Sequence, residues 1–139
     1  MDLTQMEKYI PDATSLLGGG VDAIVDEAWY VRQRLHSGPG IFKEDVPVSD
    51  IGGRLFVSGH PYDALDPYDT LNILYRQGIY EGHAAIEKQD ISGLLKMFDV
   101  LDPNKHPTPT RTPIGDKLEF RLFCLGALVG IRMSPKYEN

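Results

Sequence analysis

Leu122-Phe123-Cys124-Leu125-Gly126-Ala127-Leu128-Val129-Gly130-Ile131 is the longest apolar run in the chain, closed at its ends by Arg121 and Arg132. A bilayer crossing takes about 20 apolar residues, so this run is too short to span and reads as a core helix over about 116–133. A helix that is apolar nearly all round is buried on all sides, which makes it the central element of the fold. Two of its residues, Gly126 and Gly130, are glycines one turn apart. A glycine in a helix interior costs about 1 kcal/mol against alanine, so a pair of them needs a reason, and close approach of another backbone is the usual one.

A matching pair, Gly78 and Gly82, lies in a second helical stretch whose apolar stripe is Leu71, Leu74, Gly78, Ala85 and Ile86. The two helices are expected to cross at their glycines. The start of the second helix is marked by a near-repeat, Pro61-Tyr62-Asp63-Ala64-Leu65 and then Pro67-Tyr68-Asp69-Thr70-Leu71. Proline at a first helical position loses no hydrogen bond, and a carboxylate in the first turn faces the positive end of the helix dipole. The doublet reads as an abortive turn followed by a helix from Asp66, as N-cap, to about Glu87.

Working outward, Val21, Ile24, Val25, Ala28, Val31 and Leu35 follow helical spacing. Asp22, Asp26 and Glu27 stand in the early turns and Arg32 and Arg34 near the end, an order that matches the dipole and predicts a helix over about 21–36. Residues 1–20 read as an N-terminal arm or short helix, broken by Pro11 and ending in Gly18-Gly19-Gly20. Val46, Val48, Leu55 and Val57 alternate with polar residues around Ile51-Gly52-Gly53, which predicts a small β-hairpin at about 44–58, with Pro47 on an edge. Asp90-Ile91-Ser92 opens a shorter helix carrying Leu94, Leu95, Phe98 and Leu101 and stopping at Asp102-Pro103. A Pro-rich connector over 102–115 then leads to the last helix. The expectation is one domain of helix-dominated α+β class, with about four helices and one small hairpin.

At 139 residues the chain can bury about two-thirds of its unfolded surface. The single cysteine, Cys124, excludes an internal disulfide and reads as a buried thiol. Met1-Asp2-Leu3-Thr4 carries no basic or apolar segment of a signal peptide, so a cytoplasmic or otherwise intracellular setting is expected. With 14 basic and 20 acidic residues the net charge is −6 and no basic block occurs, which disfavours nucleic-acid binding. No membrane contact and no cofactor are expected.

No catalytic constellation is present, so the reading is of a non-enzymatic module, a regulatory, inhibitory or assembly component of the kind common in phages and regulatory operons. It acts by binding another protein, self-association included. Tyrosines supply contact area with a polar tip, and an extended proline-rich segment loses little entropy on docking. The expected interface residues are Tyr62, Tyr68, Pro109 and Arg111, with Tyr75 and Tyr80 in the same tyrosine-rich stretch and Trp29 assignable to surface or core. A second reading uses Ser15-Leu16-Leu17-Gly18-Gly19-Gly20-Val21-Asp22. This stretch resembles the glycine-rich loop of macro domains, with one glycine fewer. The resemblance implies ADP-ribose or a related phosphate ligand held by Ser15, Gly18, Gly19, Gly20 and Asp22, with backbone N–H groups at a helix start facing the phosphate. That family's upstream strands, upstream asparagines and second phosphate loop have no counterpart here. A third reading, a metal-dependent hydrolase, would use His60, Asp63, Asp66 and Asp69, but Pro67 interrupts the helical face they would need.

Thermal shift separates the first two readings. Under the ligand reading, ADP-ribose at 100 times its dissociation constant adds about 2.7 kcal/mol of stability, and Gly19→Val removes the effect at unchanged basal Tm. Under the interaction reading, ADP-ribose leaves the Tm where it was.

Overall fold

The computed structural model of the chain describes residues 4–14, 16, 21–37, 56–57, 60–61, 70–103, 105 and 117–137. A 3-10 helix at Thr4–Tyr9 leads into α1 (Ile10–Thr14) and α2 (Val21–Ser37). A short pairing of β1 (Phe56–Val57) with β2 (His60–Pro61) follows, then α3 (Thr70–Glu87), α4 (Ile91–Leu101) and α5 (Lys117–Arg132). The apolar run is α5, and every residue from Leu122 to Ile131 is buried, Cys124 among them.

The glycine crossing is present. A Cβ built on Gly78 would stand 3.0 Å from the Gly126 α-carbon, and one on Gly82 would stand 2.8 Å from the Ala127 α-carbon. From the other side, a Cβ on Gly126 would lie 2.9 Å from the Ile79 nitrogen, and one on Gly130 2.8 Å from the His83 nitrogen. At each of the four, a backbone carbonyl oxygen of the facing helix would be closer still. Two backbones can meet this closely only where neither has a side chain between them. Gly78 faces Gly126 and His83 faces Gly130, so residue numbers rise together and the two helices run in the same direction. The α-carbons then sit against facing carbonyls, where Cα–H···O contacts contribute about 0.5–1 kcal/mol each and help to offset the lost helix propensity.

The remaining elements close around this pair. Leu74, Tyr75, Ile79, Ala85 and Ile86 of α3 are buried, as are Ile91, Leu94 and Phe98 of α4. The Phe98 ring meets Tyr9 at 5.0 Å, Phe123 at 6.0 Å and Phe120 at 6.2 Å between centroids, all edge-to-face. This arrangement is worth about 0.5–1.5 kcal/mol per pair beyond area burial. The N-terminal segment takes part through Met6, Ala13 and Leu16, all buried. Pro11, expected to break the segment, instead lies in the first turn of α1, where a missing N–H costs nothing. The turn from α3 to α4 is tight. Gln89 takes a left-handed backbone at φ 55°, and the Asp90 side chain caps α4 by accepting from the Gly93 N–H at 3.1 Å.

The expected α+β class is corrected. Among the described residues the fold is helical. The hairpin expected at 44–58 is replaced by a pairing of two residues a side, Phe56 opposite Pro61 and Val57 opposite His60, which is too short to form a sheet layer. Residues 44–55, which carried the hairpin signal, lie outside the described set. Strand alternation stabilises only where one face meets a core, and among the described residues the helices α1, α2 and α3 pack on α5. Pro61, read as a helix start, is part of the extended pairing, and its missing N–H suits an unpaired edge.

Substitution at the crossing tests its role. Gly126→Ala gains about 1 kcal/mol of helix propensity but forces the backbones apart, and overpacking of this kind costs about 1–3 kcal/mol. The expected net result is a Tm lower by several degrees. Leucine at Gly82 or Gly126 is expected to prevent folding, read as loss of the helical circular-dichroism signal.

Candidate protein-interaction surface

Helix α2 has two faces with different jobs. Ile24, Glu27, Ala28 and Val31 recur at helical spacing and are all buried. Glu27 is wholly inaccessible and accepts a hydrogen bond from the Tyr75 hydroxyl at 2.5 Å, itself wholly buried on α3. This pair locks the rotation of α2 against α3. The sequence groups Glu27 with Asp22 and Asp26 as an early-turn acid; those two are exposed and Glu27 is not. The signal for burial was its position three residues after Ile24 and four before Val31. Tyr75, noted in the tyrosine-rich stretch, belongs to the core. Burial, and then the Glu27 charge, push its hydroxyl well above the ordinary tyrosine range.

With that face turned inward, Val25 and Trp29 point to solvent one turn apart, 39% and 57% exposed. Trp29, left open between surface and core, is therefore a surface residue. Beside it lies the turn that follows α5. Arg32 donates from Nε to the Met133 carbonyl at 3.0 Å and from Nη2 to the same oxygen. Ser134 Oγ donates to Glu87 Oε1 at 3.0 Å, and Lys136 Nζ donates to the Glu87 carbonyl at 2.9 Å. The Ser134 hydrogen bond, helped by Lys136 and His83, holds the Glu87 carboxyl below its usual range. The turn is thus tied to both α2 and α3. It carries Tyr137, whose ring has the Arg132 guanidinium 4.2 Å above its centre.

The result is a depression of about 340 Å³ lined by Val25, Ala28, Trp29, Arg32, Arg132, Ser134, Pro135 and Tyr137. Among the described residues, two arginines and no carboxylate line it. Trp, Tyr and Arg are the residues that dominate measured binding energy at protein interfaces. A larger groove of about 870 Å³ runs between the N-terminal 3-10 helix and α4, with Lys8, Lys96 and Lys105 along it. Lys105 is committed to an ion pair with Asp99, which holds its ammonium above the usual lysine range.

The expected interface residues Tyr62, Tyr68, Pro109 and Arg111 lie outside the described residues, as do Ser15, Gly18, Gly19 and Gly20 of the loop reading. Asp22 is described and exposed at the start of α2. Residues Thr4–Thr14, ahead of that loop, are helical where the macro-domain resemblance implies strands. Asp63, Asp66 and Asp69 lie outside the described residues, and of His60 only the backbone is described. No group of three metal-binding side chains occurs among the described residues. No helix among them is long and apolar enough to cross a membrane.

The Glu27–Tyr75 pair has a pH signature. A buried donor to a carboxylate is worth about 1.5–3 kcal/mol, so Tyr75→Phe is expected to lower stability by that amount at pH 7. Tyr75 keeps its proton in the folded state after the unfolded chain releases it near pH 10. Its contribution is therefore complete below pH 10 and falls above it by about 1.4 kcal/mol per pH unit. Urea unfolding of the two proteins at pH 7 and pH 11 is expected to show the gap between them shrinking. Set against protein-family models, curated proteins and solved structures, the chain has no match.

Proposed function

We propose that this chain is a non-enzymatic interaction module that binds another protein through the surface formed by α2 and the turn after α5. The observation that supports this reading is the placement of the chain's single tryptophan. Tryptophan is on average one of the more buried residues. Here Trp29 is more than half exposed, next to Val25, Tyr137 and two arginines. The helix that carries it is fixed in rotation by Glu27 and Tyr75, and the turn that completes the surface is fastened at Met133, Ser134 and Lys136. A surface built on held elements loses little entropy on binding, which favours affinity. The proline-rich connector and the Tyr62–Tyr68 stretch belong to the same proposal as further contact regions.

Affinity capture with wild-type and Trp29→Ala proteins tests the reading. Truncating an interface anchor costs about 2 kcal/mol or more, near a thirtyfold loss of affinity. A surface substitution is expected to change stability by only about 0.5 kcal/mol. The expected result is a partner retained by the wild type and lost by Trp29→Ala at nearly equal Tm. Equal retention by both proteins overturns the proposal for this surface.

A further inference from the structure

We draw no further inference here: the strongest candidate, the groove of about 870 Å³ between the N-terminal 3-10 helix and α4, is lined by surface lysines of which Lys105 is already paired with Asp99, and nothing in the structure shows what covers it.

Discussion

Everything in the described part of this protein depends on two helix backbones touching. At the crossing of α3 and α5, Gly78, Gly82, Gly126 and Gly130 leave no side chain between the chains, and facing carbonyls occupy the space a Cβ would need. The contact has little tolerance, because backbone atoms cannot rotate aside as side chains do. It also sets the direction of the chain. Two helices in contact and running the same way cannot be joined by a short loop, so the connection must travel back along their length. Helix α4 lies within that connection, and its Phe98 reaches Phe120, Phe123 and Tyr9.

A second constraint converts this core into a surface. Glu27 is a charged side chain in a wholly buried position, a costly placement unless it is hydrogen-bonded. The Tyr75 hydroxyl meets it at 2.5 Å from the helix that bears Gly78 and Gly82. Because Glu27 must face Tyr75, Val25 and Trp29 must face away. The same two helices also hold the final turn, α2 through Arg32 and α3 through Glu87. The arginine-and-aromatic surface therefore follows from the core rather than from a mobile appendage, which is the condition for an interface with preset side chains.

Much of the helical frame was legible in the residues. The four longer helices fall close to their expected bounds, with Asp90 capping α4 and Asp102 ending it. The glycine pairs were readable because interior glycines carry a helix penalty that must be repaid by contact. The hairpin was misjudged because period-two alternation is a local signal that a core must confirm. Pro61 was misjudged because proline suits an exposed strand edge as well as a helix start. The site was far less legible. The expected interface positions Tyr62, Tyr68, Pro109 and Arg111 lie outside the described residues, and residue type alone does not distinguish the buried Tyr75 from the exposed Tyr80.

By itself, then, the sequence determined where the helices lie, that the apolar run from Leu122 to Ile131 is central, and which glycines meet. These are properties of spacing and backbone freedom, written in consecutive residues. Tertiary structure alone decided that Glu27 pairs with Tyr75, that Trp29 is on the surface, and that Arg32 and Arg132 line one depression with Tyr137. Those facts join positions about 100 residues apart, as Arg32 and Met133 are. Such pairings depend on how helices rotate and pack around one another, which no local pattern encodes.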